Sequence, residues 1–288
     1  MSLVNIPDFI IADKNINETT AIKKIGLLIF GKITSFIINT NRPKVICSFL
    51  NLFYKNTGKI KYENTFFTKT YGDNKKIFYP NIRFLRVAKG VDFQFSKILE
   101  DYCLTGLDFS PENLVVDCGA NVGELFLSLK NNKNVEVNYF AYEPDERSYL
   151  SLKKNIPNNS NIYQIALSDK NEESSLYLDT EGGDSSLENF GSSNQIIVNS
   201  KRLDDYDYQD IYLLKIDAEG HELEVLRGSE QLLKKINYIS VDYGLEKGLD
   251  KQSTITEVTN FLFENNFILQ KANLVRNTGL FVNKDLNK

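Results

Sequence analysis

The sequence of 288 residues has few cysteines, no recognisable secretory signal and no long uncharged apolar run, and each absence argues against a class of protein. Its three cysteines, Cys47, Cys103 and Cys118, form no CxxC pair, which argues against a disulfide framework or a zinc knuckle. A reducing cytoplasm is therefore the expected location. The N-terminus lacks a basic region followed by an apolar run and a cleavage site, so no secretory signal is predicted. Residues 22–38 are apolar but include three lysines, which disfavours a membrane span.

The overall composition is that of an ordinary globular protein, with 42% hydrophobic and 25% charged residues. The formal net charge of −4 and the pI of about 5.3 provide no overall attraction for phosphate polymers. The sequence also has no segment that combines aromatic and basic residues in the manner of RNA-binding proteins. We therefore expect no nucleic-acid partner.

We expect three segments along the chain. From about Glu18 to Tyr54 the apolar residues recur at helical spacing, with a break at Pro43, which predicts a helical accessory segment over residues 1–57. A lid or packing element is the favoured interpretation, with at most peripheral membrane contact through the N-terminal helix. Residues 58–111 are expected to form a β-hairpin or a short antiparallel element, from runs 60–67 and 77–85 with a turn at 71–74, and a helix near 93–104. The main domain is expected to comprise residues 112–288.

The main domain alternates short apolar runs with helical segments, which is typical of βαβ units that build a parallel sheet. The predicted class is therefore α/β, doubly wound and Rossmann-like, with a closing antiparallel pair at 267–272 and 279–282. The five predicted parallel strands are 114–116, 139–142, 162–167, 211–216 and 238–241. The predicted helices are 123–129, 146–155, a short turn at 202–206, 222–235 and 254–265.

A glycine-containing turn follows the first of these strands. Asp117 ends the strand, and Gly119, Ala120, Asn121 and Gly123 lead into a helix. Glycines let a ligand approach the backbone closely, and strand ends in open α/β sheets form the ligand crevice. The GxxxG spacing is not the GxGxxG dinucleotide fingerprint, and an acid before the loop opposes a pyrophosphate but suits the sulfonium of S-adenosylmethionine (SAM). These residues are predicted to bind SAM, although a plain strand-to-helix turn capped by Asp117 is the alternative.

Two further strand ends carry polar residues. Glu143, followed by Pro144, ends the second strand, where a carboxylate accepts hydrogen bonds from a ribose diol. Taken alone, Glu143 also fits a solvated acid or a helix-capping partner. Ser168 and Asp169 end the third strand and are predicted to lie near the adenine, although Ser-Asp is common turn chemistry as well.

Two longer motifs complete the pattern: Gly-Gly-Asp-Ser-Ser-Leu at 182–187, and the run from Lys215 to Gly228, which contains Asp217, Glu219 and His221. With the turns above, they resemble the FkbM family of SAM-dependent methyltransferases from about residue 100 to the C-terminus. The resemblance implies a SAM-dependent methyltransferase domain and a seven-stranded sheet with a reversed final strand. It also implies methyl transfer to oxygen, commonly on sugar hydroxyls of surface glycans or on natural products.

Three residues are candidates for catalysis. Asp217 and Glu219 lie where the fourth strand leads into its helix, so their carboxylates should face the crevice, with Asp217 also near the cofactor. The alternative is that these acids cap the helix. His221, the only histidine, is the candidate base for a hydroxyl acceptor, and a solvent-exposed helix residue is the alternative. Asp217, Glu219 and Asp242 are hard oxygen ligands, but their spacing is not diagnostic and no metal is predicted.

The acceptor is expected to be a carbohydrate or glycoconjugate, contacted in part by the Gly- and Ser-rich loop 181–194. Two other interpretations stay open. The same fold can methylate a lipid, peptide or natural product, or it can serve as a non-catalytic binding module in a glycan-assembly complex. An RNA methyltransferase is disfavoured by the acidic charge balance.

Overall fold

A computed structural model describes residues 6–11, 18–158, 161–179 and 185–286. The chain divides into two compact units, Met1–Gln94 and Phe95–Lys288. The predicted functional division at residues 57 and 111 stays a prediction.

The first unit consists of helices followed by an antiparallel sheet. Pro43 opens the third helix, since proline lacks the N–H that is unpaired at a helix start. The predicted antiparallel element is present, with the turn after Tyr71 joining two of its strands. It has a third strand, because Asn64 and Thr65 adopt left-handed conformations that reverse the chain within run 60–67. The elements are α1 (Asp8–Ile11), α2 (Ala21–Ile38), α3 (Pro43–Tyr54), β1 (Ile60–Glu63), β2 (Phe66–Tyr71), β3 (Lys75–Tyr79) and a 3₁₀ helix (Ile82–Val87).

A seven-stranded sheet forms the core of the second unit. Its parallel strands are β4 (Leu114–Cys118), β5 (Asn138–Tyr142), β6 (Ile162–Tyr163), β10 (Ile211–Ile216) and β11 (Ile236–Asp242), and β14 (Phe267–Asn273) and β15 (Thr278–Asn283) complete it. The strand order is β14-β15-β11-β10-β4-β5-β6, and β15 is antiparallel to both of its neighbours. The predicted α/β class and the reversed final strand are thereby confirmed.

The helices that flank the sheet follow the predicted pattern, except after β10. That helix was predicted to run to residue 235 but ends at Arg227. The backbone of Gly228 lies close to that of Ser168, which follows the third predicted strand. A Cβ at Gly228 would lie 1.9 Å from the carbonyl oxygen of Ser168. The helices are α4 (Val91–Asp101), α5 (Glu124–Ser128), α6 (Glu146–Asn155), α7 (Glu222–Arg227) and α8 (Ile255–Glu264), with a π turn at Leu129–Lys133 and 3₁₀ turns at Leu203–Asp205 and Leu233–Lys235.

The third predicted strand is split between two sheets. Residues 162–163 stay in the main sheet as β6, whereas β7 (Ala166–Leu167) pairs with β9 (Gln195–Lys201), which also pairs with β8 (Glu172–Tyr177). A short pair, β12 (Leu245–Lys247) and β13 (Gln252–Ser253), follows β11. Among the described helices, none is both long and apolar enough to cross a bilayer.

Candidate active site

The carboxyl ends of β4, β5 and β10 bring the predicted residues together. In the sheet register Asp117 pairs with Ala141 on one side and with Lys215 on the other. Glu143 and Asp217 each directly follow the strand on their side. The glycine turn therefore emerges between the two acids, at the edge where open α/β sheets bind ligands.

The glycine turn is fixed by backbone contacts to both neighbouring strands. Gly119 has a φ of +72°, and a Cβ there would lie 1.9 Å from the carbonyl oxygen of Asp217. The backbone N–H groups of Gly119 and Ala120 both donate to the carbonyl oxygen of Tyr142, at 3.0 Å. Asn121 is also left-handed, with a φ of +49°. Glycine is required at 119 for two reasons: the left-handed backbone and the close approach of β10.

Gly123 has a different role from the turn residues before it. Its φ is +84°, and a Cβ would lie 2.8 Å from the Cδ1 atom of Leu152 on α6. The absence of a side chain at Gly123 therefore lets the turn pack closely on α6. This packing does not test the prediction that Gly123 binds the cofactor.

Asp117 forms a buried ion pair. Its Oδ1 lies 2.9 Å from the Nζ of Lys215, and its Oδ2 accepts a hydrogen bond from the hydroxyl of Tyr139. Burial raises the pKa of Asp117, and the charge of Lys215 opposes that increase. Lys215 also donates to the carbonyl oxygen of Gly119 at 2.7 Å. The negative charge that the sequence offers to a sulfonium is therefore balanced by a lysine, and Asp117 and Lys215 hold the turn in place.

Glu143 contacts the turn directly. Its Oε2 accepts a hydrogen bond from the backbone N–H of Asn121 at 2.7 Å, and its Oε1 accepts one from Asp145 at 2.9 Å. Burial raises the pKa of this carboxyl to about 7, and Asp145 adds to the increase. Asp145, which follows the half-buried Pro144, caps α6 by accepting from the N–H of Arg147 at 2.8 Å. The carboxylate lies where a ribose-binding group is expected, and that role stays a prediction.

His221 lies in a chain of hydrogen bonds with one residue that the sequence interpretation missed. Its Nε2 is 2.9 Å from the hydroxyl of Ser168, and its Nδ1 is 2.9 Å from Oε1 of Glu188. The His221 side chain is 13% exposed, so the alternative of a solvent-exposed helix residue is wrong. The hydrogen bond from His221 lowers the pKa of Glu188. Ser168 also contacts Asp169 at 3.3 Å, which places both predicted adenine residues beside this chain.

Asp217 belongs to a second polar network that only partly follows from the sequence. Its Oδ2 accepts a hydrogen bond from the hydroxyl of Tyr102 and lies 3.8 Å from the guanidinium of Arg276. Arg276, from the turn between β14 and β15, also pairs with Asp242 at 2.7 Å. Burial raises the pKa of Asp242 to about 9, with a contribution from Asp217. Nothing in the local sequence around Tyr102 or Arg276 indicates this placement.

Among the described residues, two groups of side chains have the geometry of possible cation sites, one of three acids and one of two acids with His221. Glu219, which has a left-handed φ of +50°, joins Asp217 and Glu246, and the carboxylate oxygens of the three lie within 4.8 Å of one another. Glu188, His221 and Glu224 form the other such group. Oxygen ligands of this kind suit Mg²⁺ or Ca²⁺. Glu246 rather than Asp242 completes the first group, and the expectation of no metal stays a prediction.

The motif at 182–187 is only partly described. Residues 182–184 lie outside the described residues, as do residues 181 and 180 of the adjoining loop. The hydroxyl of Ser186 donates to the carbonyl oxygen of Glu219 at 2.7 Å. The described part of this motif therefore packs against the segment that carries Asp217, Glu219 and His221.

Comparison with known proteins identifies related sequences. The profile of the Methyltransferase FkbM domain matches residues 117–269. The 2-O-methyltransferase NoeI of Sinorhizobium fredii is 22% identical over 206 residues, covering 62% of this chain and 83% of NoeI. The methyltransferase sdnD of Sordaria araneosa is 28% identical over 179 residues, covering 48% of this chain and 69% of that protein.

A solved structure is also similar, that of Methyltransferase FkbM from Methylobacillus flagellatus KT. It has a TM-score of 0.46 and 16% identity, and the match covers 71% of this chain. The chain spans 56% of the length of that protein.

Proposed function

The chain belongs to the FkbM methyltransferase family, and on that premise we propose that it is a cytoplasmic SAM-dependent O-methyltransferase that acts on a sugar hydroxyl of a glycan or glycoconjugate. The observation that carries the cofactor proposal is the position of Glu143. Its buried carboxylate lies against the glycine turn at the ends of two adjacent strands. This is the position from which the acid of nucleoside-binding α/β folds contacts ribose.

The residues present fit SAM by their chemistry. Each oxygen of Glu143 accepts one backbone N–H and keeps a second lone pair, which a ribose hydroxyl can use. The turn at 119–121 follows β4 without a large side chain, so an adenosyl group can approach its backbone. Asp117 and Lys215 neutralise each other, and they support binding by holding this backbone rather than by attracting the sulfonium.

In the proposed reaction SAM supplies a methyl group that is already activated for in-line displacement, so the chain mainly aligns the acceptor and manages its proton. Glu188 can only accept hydrogen bonds when ionised, so Nδ1 of His221 carries the proton of that pair and Nε2 is the basic nitrogen. In the structure the hydroxyl of Ser168 forms a hydrogen bond with Nε2. An acceptor hydroxyl would take the place of the Ser168 hydroxyl and release its proton to Nε2.

The proposal of oxygen as the acceptor atom draws support from NoeI, which is named as a 2-O-methyltransferase. A methyl-transfer assay with labelled SAM tests it on a panel of oligosaccharides, lipids, peptides and RNA. We expect label in the oligosaccharide fraction, and we expect His221→Ala to reduce turnover about 100-fold while SAM still binds. A Glu230→Gln variant is the control, since Glu230 is an exposed acid outside the site, and it should keep the turnover of the parent.

Label in the lipid, peptide or RNA fraction alone would contradict the sugar acceptor. Binding of SAM without transfer to any fraction would favour the non-catalytic binding module.

A further inference from the structure

Helix α2 carries an exposed apolar stripe, consisting of Ile22, Ile25, Ile29, Ile33 and Phe36. These side chains are between 46% and 82% exposed. They follow one another at intervals of three or four residues, so they lie on one face of the helix. A continuous row of large apolar side chains on a surface marks an interaction site more often than scattered single ones do.

The stripe is not the face that α2 uses for packing in its own unit. Gly31 and Thr34 are buried on a different face. Phe30 contacts the rings of Phe49 and Phe53 on α3, at 6.1 Å and 4.7 Å between centroids. A packing element needs one apolar face, which α2 already provides. The second face therefore requires a separate explanation.

The charged residues in the stretch of sequence that contains the stripe have a single sign. Between Glu18 and Glu63 the sequence contains no aspartate or glutamate, although the formal charge of the whole chain is −4. Lys32 is exposed and lies three residues after Ile29 and four before Phe36, so it flanks the stripe. The eight basic residues of this stretch are Lys23, Lys24, Lys32, Arg42, Lys44, Lys55, Lys59 and Lys61.

We propose that α2 lies in the plane of an anionic membrane surface, with the stripe buried at the boundary between headgroups and acyl chains. Exposed isoleucine and phenylalanine side chains supply the apolar area, and the surrounding lysines meet the lipid phosphates. The helix is too polar to cross a bilayer. A second copy of the chain is a poorer fit for this face, because two basic segments would repel each other. The membrane contact does not depend on the proposed methyl transfer.

Vesicle co-sedimentation with the full chain tests this proposal. We expect binding to vesicles of phosphatidylcholine and phosphatidylglycerol in a 7:3 ratio, little binding to pure phosphatidylcholine, and weaker binding as salt increases. The double variant Ile29→Ser/Phe36→Ser should lower the vesicle partition coefficient by about tenfold or more. The matched control is Leu249→Ser/Leu274→Ser, which removes two apolar side chains outside α2 that are at least as exposed, and it should bind as the parent does.

A second variant, Lys23→Gln/Lys32→Gln, keeps the apolar stripe and carries no folding risk at exposed positions. It should lose most of the dependence on phosphatidylglycerol and on salt. The proposal is overturned if the parent chain ignores the anionic vesicles, or if the serine variant binds them as well as the parent does. It is also overturned if size-exclusion chromatography shows that the serine variant changes a dimer into a monomer without affecting vesicle binding.

Discussion

Lys215 connects β10 to the glycine turn, since its side chain contacts three consecutive residues of the neighbouring segment, Asp117, Cys118 and Gly119. Replacing it with methionine should leave a buried carboxylate without its partner. We expect Lys215→Met to lower the free energy of unfolding by about 3 kcal/mol, measured by urea denaturation. The control is Lys97→Met, which removes a more exposed pair with Asp101 and should cost less than about 0.5 kcal/mol. Equal losses in the two variants would contradict the structural role of Lys215.

Glu143 should make stability depend on pH. Its pKa is raised from 4.5 to about 7, so between these values the folded state holds a proton that the unfolded state has released. Stability contributed by this group is therefore present at low pH and lost as pH rises toward 7. At about 1.4 kcal/mol per pH unit, the total loss approaches about 3 kcal/mol.

Glu143→Gln has no such titration, and the other titrating groups are common to both proteins. The free energy of unfolding of the parent, relative to that of Glu143→Gln, should therefore decrease from pH 5 to pH 8. Parallel stability curves for the two proteins would show that the carboxyl is not perturbed as described.

At the residue scale, the sequence predicted that Asp117, Gly119, Glu143 and Asp217 lie together, because strand ends in a parallel sheet meet at one edge, and the structure has them there. Their binding roles stay predictions. It could not identify their partners. Tyr102 and Arg276 reach the site from distant parts of the chain, which local patterns do not encode. Glu188 lies in the loop 181–194 that was expected to contact the acceptor, and this expectation was the available signal in the sequence.

At the scale of elements, α6 is stabilised at its start by the side chain of Asp145. Asp145→Ala removes an acceptor for the first turn and should cost about 1 kcal/mol of stability. Asp145→Asn keeps a capping oxygen and should cost less, as thermal unfolding followed by circular dichroism can show. A loss as large in the asparagine variant as in the alanine variant would mean that charge, not capping, is responsible.

Two regular elements have the predicted bounds, for different reasons. Strand β10 does because its apolar run is buried in the core. Helix α6 buries one apolar side chain, Leu152, and its start is marked by the Asp145 cap. Strands β8 and β9 were missed because they are mostly polar and belong to a small sheet with few buried residues. Helix α7 ends where Gly228 closely approaches Ser168. The two residues are 60 positions apart in the chain, so no local pattern could indicate this contact.

At the scale of the whole molecule, the sequence predicted that the N-terminal segment is helical with at most peripheral membrane contact, but not which face of α2 stays exposed. Helix α2 has apolar residues on two faces. One face packs against α3, and the other stays exposed. A periodicity argument alone treats both faces as one amphipathic helix. The family match begins at residue 117 and so leaves α2 outside it.

The central claim is that the turn at Gly119, beside Glu143, binds SAM. Isothermal titration of the full chain with SAM tests it most directly, with Gly119→Ala and the control Gly106→Ala, at which a Cβ meets nothing within 4 Å. Circular dichroism verifies that each variant is folded, and Glu143→Gln serves as a second probe of the same site. We predict one site per chain in the parent and in Gly106→Ala, with affinity at least about tenfold weaker in Gly119→Ala and Glu143→Gln. The absence of SAM binding in the parent, or unchanged affinity in both site variants, would contradict the account.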